Sequence, residues 1–343
     1  MKLGILGGGQ LGMMMCQAAK SIDISTIIYS DSLDSPAINF SDSHFIDKYD
    51  NFLKIEEFVN ECDVITYEFE NIPYETLKYI NSKINVFPSP EVNNIIQDRL
   101  SEKNYIDSLK IPVVPFVKIN NQSDLDSTSN DYFPAILKTR KLGYDGKGQK
   151  VINEKKDILE IASGQYILEK KIKLKQEISV ITVRYQNGNM HSYTPIDNDH
   201  KNQILSKSIS PAIISKNIEQ KSLEWSKKII SNLDYIGVIC VEYFISEEDE
   251  LFVNEIAPRV HNSGHLTIES YNISQFESHV RAVCNIDSIE PKMMHSSEMV
   301  NILGEDIFKY RMKELEQNSY FHDYFKEEAK SGRKMGHITK ILI

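Results

Sequence analysis

The sequence predicts an α/β (α+β) protein of more than one domain, and three observations carry that expectation. The chain has 343 residues, more than a single hydrophobic core usually organises. Its first thirty residues run from a short apolar strand through a glycine-rich turn and a helical stretch to a second strand. Much later, two apolar runs flank a polar turn and read as a β-hairpin, each strand carrying one glutamate. Composition narrows the function. A net charge of −10 gives a nucleic-acid partner no electrostatic support. No apolar run approaches the roughly 18 residues of a membrane span, so neither nucleic acid nor membrane is an expected partner. Cys16, Cys62, Cys240 and Cys284 are scattered, with no C-x-x-C among them. Three of them lie in apolar patterns and read as buried thiols. With no signal-peptide pattern, the expected compartment is the reducing cytoplasm.

In chain order, Lys2–Leu6 is a strand, Gly7-Gly-Gly-Gln-Leu-Gly12 a turn, Met13–Lys20 a helix, and Ile24–Tyr29 a strand ending at Asp31. A glycine turn at a helix N-terminus lets backbone N–H groups approach a phosphate, without saying whose. Asp63–Tyr67 is another strand. Glu68-Phe-Glu-Asn-Ile-Pro73 follows it at the strand end, where α/β sheets place ligands. After the extended Val86-Phe-Pro-Ser-Pro90, Glu91–Leu109 reads as one helix, and the first domain boundary falls near residues 90–100.

Phe133–Lys138 is a strand ending in Lys138, and Gly143-Tyr-Asp-Gly-Lys-Gly-Gln149 comes next. Three glycines around a lysine suit a loop folded over phosphates. It is not a P-loop of the Walker type, because Gln149 stands where Lys-Ser/Thr would be needed. Tyr166–Ile172 and Gln176–Thr182 are strands that bring Glu169, Lys170 and Glu177 to the end of an apolar wall. His200 lies in a polar stretch where an ordinary surface histidine is the alternative. Ile218–Leu233 is an amphipathic helix, and Trp225 within it reads as core.

The hairpin follows. Counted from a turn centred between Glu248 and Asp249, Glu242 and Glu255 are cross-strand neighbours, with Cβ atoms roughly 4.5–5.5 Å apart. Two carboxylates inside apolar strands repel, and each is costly to bury unpaired. A divalent cation that also takes phosphate oxygens resolves both problems and suits Mg²⁺ with a nucleotide. One glutamate facing solvent is the plain alternative. Directly after the second strand, Arg259, His261, Asn262 and His265 form a donor-rich run fit to face an anion. Ser274–Cys284 is helical. In the tail, Lys326, Arg333 and His337 offer further positive or polar groups, with a solvated surface as the other possibility.

Taken jointly, these motifs resemble the ATP-grasp superfamily and, within it, the N5-carboxyaminoimidazole ribonucleotide synthetase family of purine biosynthesis. They fall in the family's order: Gly7–Gly12, Glu68–Asn71, Gln97–Arg99, Gly143–Gln149, Asn254–His265 and Gly332–His337. The resemblance spans essentially the whole chain, and its most specific part is Ala-Pro-Arg-Val-His-Asn-Ser-Gly-His. It implies an N-terminal Rossmann-like pre-ATP-grasp domain (1–95) and a central ATP-grasp domain (96–285) with a glycine-loop lid near 138–175. A small C-terminal domain (286–343) completes the chain, which would form a homodimer. The implied reaction joins 5-aminoimidazole ribonucleotide (AIR) and bicarbonate at the expense of ATP, through carboxyphosphate. By resemblance, ATP would meet Arg99, Lys138, Gly143, Tyr144, Asp145, Gly146, Lys147, Gly148, Gln149, Glu169, Lys170, Lys171, Ile172, Glu177, His200, Asn254 and Glu255. Glu242 and Glu255 would hold Mg²⁺. Tyr144, Asp145, Lys147, Arg259, His261 and Asn262 would surround bicarbonate and the aminoimidazole, with Asp145 taking the amine proton. Gln10, Leu11, Lys326 and Arg333 would hold the ribonucleotide phosphate, which reassigns the N-terminal glycine turn from cofactor to substrate. Glu70 is favoured over Glu68 to line that cleft. One departure is Met13-Met14-Met15, where relatives often carry an arginine.

Three other readings compete. Another ATP-grasp carboxylase or ligase would not need the Arg259–His265 run together with Lys326 and Arg333. An NAD-dependent oxidoreductase built on Gly7–Gly12 and Asp31 leaves Lys138, the second glycine loop and the glutamate pair unexplained. A non-catalytic binding module has no use for Glu242, Glu255, Asp145 and Arg259 together.

Overall fold

Four parallel strands, in the order β3-β2-β1-β4, open the chain: β1 (Lys2–Leu6), β2 (Ser25–Ser30), β3 (Ser43–Ile46) and β4 (Val64–Tyr67). The computed structural model describes residues 1–143, 148–157 and 165–342. Parallel neighbours need crossovers, and helix α1 (Gln10–Lys20) supplies the first, with α2 (Phe52–Glu61) between β3 and β4. Val64–Tyr67 is buried throughout, as a strand covered on both faces must be. Helix α1 buries Met13, Met14, Met15 and Cys16 in one core with Phe276 and Val280. The triple methionine is therefore packing. Helix α3 (Tyr74–Asn81) follows β4.

The expected single helix over Glu91–Leu109 is two: α4 (Pro90–Ile96) and α5 (Arg99–Ser108). The break has a local cause. Asp98 is extended, and its carboxylate accepts the N–H groups of Leu100 and Ser101, capping α5. Arg140 closes on the same carboxylate at 2.9 and 2.5 Å.

A small antiparallel sheet, β5-β8-β6-β7, comes next: β5 (Phe116–Ile119), β6 (Ala135–Thr139), β7 (Gln149–Ile152) and β8 (Tyr166–Lys170). Helix α6 (Gln122–Ser127) lies between β5 and β6. The largest sheet has nine strands. It contains β9 (Leu174–Arg184), β10 (Met190–Ser192), β11 (Ile196–Lys201), β12 (Ile204–Ser210), β13 (Gly237–Ser246) and β14 (Leu251–Ala257). It continues without interruption into β15 (Ser296–Leu303), β16 (Ser319–Asp323) and β17 (Lys334–Leu342), in the order β14-β13-β9-β11-β12-β15-β17-β16 with β10 beside β9. Helix α7 (Lys216–Asn232) covers one part of this sheet, and the short α8 (Thr267–Ser270) and α9 (Gln275–Val283) follow the hairpin. Helix α10 (Asp306–Met312) lies between β15 and β16.

His279 joins the first sheet to the large one. Its Nδ1 accepts the Val238 N–H at 3.0 Å, so Nε2 carries the hydrogen donated to Thr66 Oγ1 at 2.8 Å. Burial holds this imidazole neutral, with its pKa lowered to about 4.

Candidate active site

The site is built around the β13–β14 hairpin. Glu242 and Glu255 are directly paired across it. The counting that predicts this is right for a subtler reason than a regular hairpin. Residues Tyr243 to Ile245 pair with Val253 to Leu251 in a register that, continued, would set Glu242 against Asn254. A β-bulge between Glu242 and Tyr243 shifts the ladder by one, leaving Asn254 as the extra residue and Glu255 opposite Glu242.

Each carboxylate already faces a cation. Arg99 Nη1 donates to Glu255 Oε2 at 2.9 Å, and its Nη2 donates to the Gly143 carbonyl at 3.1 Å. Glu242 Oε1 lies 3.1 Å from His261 Nε2. Burial penalises charge on both members of this pair, yet their attraction wins. Glu242 is held below the usual carboxylate range, and His261, with Cys240 also acting on it, above the usual imidazole value. The Gln275 side chain brackets the His261 backbone, accepting from its N–H at 2.9 Å and donating to its carbonyl at 2.6 Å. His261 Nδ1 meets Ser263 Oγ at 2.9 Å, which meets the buried Ser179 Oγ at 2.8 Å. Gly264 allows this turn to lie on β9: a Cβ there would stand 2.2 Å from Ile181 Cδ1.

Arg259 and Glu70 meet across the first and central sheets, Nε to Oε2 at 2.7 Å and Nη2 to Oε1 at 3.4 Å. Burial would raise the Glu70 carboxyl, but the guanidinium outweighs it and holds it at about 2. Glu68 has a different partner set. Its carboxylate accepts the Gly9 N–H and, at 2.7 Å, the Gly12 N–H, so it caps α1 from outside. Burial pushes this carboxyl up, against the pull of the two N–H groups and of nearby Lys326 and Arg259. Two N–H groups of the glycine turn therefore hold a side-chain carboxylate. Gln10 and Leu11 form the first turn of α1, with Leu11 buried. Lys326 Nζ donates to the Lys334 carbonyl at 2.8 Å, and Arg333 Nη1 to the Glu328 carbonyl at 3.0 Å.

A third cluster lies at the junction of α5, β6 and β8. Glu169 stands between two lysines, 3.2 Å from Lys103 Nζ and 2.7 Å from Lys138 Nζ. All three side chains are buried. Burial lowers Lys138, while the two lysines overcome the same penalty on Glu169 and hold it at about 2. Glu177 and His200 pair at 2.9 Å on β9 and β11, which raises the imidazole despite its burial. Asn262 exchanges amide bonds with Asn301 of β15, at 3.0 and 2.6 Å. Gly148 precedes β7, which Gln149 opens, Lys170 closes β8, and Lys171 donates its N–H to the Pro134 carbonyl at 2.8 Å with Ile172 beside it. Tyr144, Asp145, Gly146 and Lys147 lie outside the described residues.

Glu102, Lys103 and Asn301 are site residues that no motif in the sequence marks. The first two carried a usable signal: with Arg99 they occupy positions i, i+3 and i+4 behind an Asp cap, one charged face on a helix that must pack somewhere. Asn301 carried none, since its partner is distant in the chain.

Known proteins define the class of this architecture. The ATP-grasp domain matches residues 104–276, the ribonucleotide synthetase preATP-grasp domain matches 1–97, and the phosphoribosylaminoimidazole carboxylase C-terminal domain matches 297–342. The protein is thus an ATP-grasp enzyme, an ATP-dependent ligase. Over 98% of the chain it is 40% identical to the N5-carboxyaminoimidazole ribonucleotide synthase of Staphylococcus aureus, covering 91% of that protein. It is 38% identical to the Bacillus subtilis synthase, over 98% of the chain and 90% of that protein. Among solved structures, the Staphylococcus aureus synthetase complexed with ADP superposes with a TM-score of 0.93 at 37% identity, covering 99% of this chain and 93% of that one. The Aspergillus clavatus synthase in complex with ADP and 5-aminoimidazole ribonucleotide gives 0.92 at 29% identity, with the same coverage. The chain belongs to the N5-carboxyaminoimidazole ribonucleotide synthase family.

Proposed function

We propose that this enzyme carboxylates AIR with bicarbonate, converting ATP to ADP and phosphate, in purine biosynthesis. The observation that carries the reading is the cross-strand Glu242–Glu255 pair, with Arg99 on Glu255 and His261 on Glu242 and the Arg259–His265 run directly after its strand. The donor set fits Mg²⁺. Two carboxylates without a third acidic ligand match an ion that completes its shell with water and nucleotide phosphate, and the described residues contain no cluster of three or more His, Cys, Asp or Glu side chains. Bound there, the ion would neutralise charge on the transferred phosphoryl group.

The chain's own residues supply the rest. Arg99, Lys138, Gly143–Gln149, Glu169–Ile172, Glu177, His200 and Asn254 form the nucleotide side. Arg259, oriented by Glu70, holds bicarbonate with His261 and Asn262. A bicarbonate oxygen attacks the γ-phosphorus and ADP leaves, giving carboxyphosphate. Carboxyphosphate breaks down to phosphate and CO₂ within the closed site, the exocyclic amine of AIR bonds to the CO₂ carbon, and Asp145 takes the amine proton. Gln10, Leu11, Lys326 and Arg333 hold the ribonucleotide phosphate. We further propose domain limits of 1–95, 96–285 and 286–343, a homodimeric assembly and a cytoplasmic setting. The four cysteines are free thiols, which accords with that setting.

The test is ADP release by purified protein with Mg-ATP and bicarbonate, with and without AIR. Strong stimulation by AIR, with one carboxylated product per ADP, is the expected result. ADP release indifferent to AIR would return the acceptor to an open question.

A further inference from the structure

Strand β14 is an edge of the large sheet, and among the described residues its outer row of backbone groups meets only an isolated parallel bridge, Val113 to Val253. Helix α5 takes part of that row. Lys103 Nζ donates to the Asn254 carbonyl at 3.3 Å, and the Ile256 N–H donates to Glu102 Oε1 at 2.6 Å. Between those two residues, Arg99 holds the Glu255 side chain. One helix face therefore grips three consecutive residues, 254 to 256.

These residues contain the bulge. In a regular strand, neighbouring residues turn their backbone groups to opposite edges. Here Val253 donates its N–H outward to the Pro112 carbonyl at 2.9 Å, and the next residue, Asn254, also turns its carbonyl outward, to Lys103. That repetition is the extra residue. Without it, Asn254 would face Glu242.

We propose that Glu102 and Lys103 are positioning residues for the metal-binding carboxylate pair, holding the bulge that sets Glu255 opposite Glu242. The inference rests on Glu242 and Glu255 being the Mg²⁺ ligands. Both positioning side chains are buried, at 3% and 1% exposure, and act through β14. Lys103 also bonds Glu169, and through it Lys138, so the lysine that faces phosphate and the strand that carries the metal ligand share one anchor.

The test is Mn²⁺ binding in the presence of ADP, read by electron paramagnetic resonance on the full-length enzyme. Lys103→Met and Glu102→Leu should each weaken it about tenfold or more, the range seen when supporting groups around metal ligands are removed. Lys103→Arg and Glu102→Gln, which keep the donor and the acceptor, should restore most of the affinity. The KM for AIR should move less than the metal affinity, a split that general loosening of the fold would not give. Unchanged Mn²⁺ binding in Lys103→Met and Glu102→Leu, with binding lost in Glu255→Gln, would overturn the positioning role alone. Unchanged binding in Glu255→Gln would overturn the metal reading and this inference with it. If the apolar variants do not fold, amide exchange in the wild-type protein decides: Ile256 should exchange slowly although it lies on a sheet edge, and fast exchange there refutes the grip.

Discussion

Replacing Glu169 with glutamine removes a carboxylate that lies between two buried lysines, and its cost can be worked from the structure. The Glu169 carboxyl is held at about 2, against an ordinary value of 4.5. At about 1.4 kcal/mol for each tenfold, that is roughly 3 kcal/mol of stability at neutral pH. An independent route agrees, because breaking a buried ion pair on one side typically costs about 3–5 kcal/mol. The side chains of Lys103, Lys138 and Glu169 are 1%, 6% and 2% exposed, so water cannot screen the loss. The sign follows from the depressed carboxyl. Its contribution is complete above pH 4.5 and is lost as pH falls towards 2. Glu169→Gln should therefore lower the central transition in differential scanning calorimetry by roughly 6–12 °C at pH 7. The gap should hold between pH 6 and 8 and close in acid. A drop of less than about 1 kcal/mol at pH 7 would refute the reasoning, since the lysines would then have other compensation.

Glu255→Gln should abolish Mg-ATP turnover while circular dichroism stays unchanged; near-normal turnover would end the metal assignment. Lys326→Ala should raise the KM for AIR more than that for ATP, and equal effects would move Lys326 out of the substrate site. Glu70→Ala, which frees the Arg259 guanidinium, should cut kcat about tenfold or more and raise the bicarbonate KM, measured by ADP release; an unchanged rate would mean that Arg259 needs no orienting partner. Burial also keeps His265, His279 and His337 neutral in the fold. Their pKa values are depressed, so stability should decline as pH falls below about 6.5, the ordinary imidazole value. A denaturant midpoint flat between pH 6.5 and 4.5 would contradict this.

What the sequence could disclose depended on whether a residue's partner was near it in the chain. The Glu242–Glu255 pair was countable because both strands flank one short turn, Ser246 to Glu250. The count erred by half a residue at the turn and was corrected by a bulge no periodicity announces. The split of Glu91–Leu109 was legible in principle from Asp98, a strong helix cap, but an unbroken helical pattern masked it. The choice between Glu68 and Glu70 could not be made from the sequence, because their partners lie far away. Gly9 and Gly12 receive Glu68 from the end of the neighbouring strand β4, 59 and 56 residues on in the chain, and Arg259 reaches Glu70 from a different sheet. The fates of Glu102 and Lys103 were hidden for the same reason: a charged helix face says that it needs partners, not which ones. Nor did the tail's short strands reveal that they extend the central sheet.

That last feature sets where the chain can be cut. Strand β12 pairs with β15 through four residues, Lys207 to Ser210 against Val300 to Ser297. A fragment ending at residue 285 would keep every strand of the β9–β14 region yet expose β12 as a bare edge. An open edge is a template for another copy of itself. Such a fragment should come out of cells as aggregate, and supplying residues 286–343 as a separate chain should rescue its solubility by strand addition.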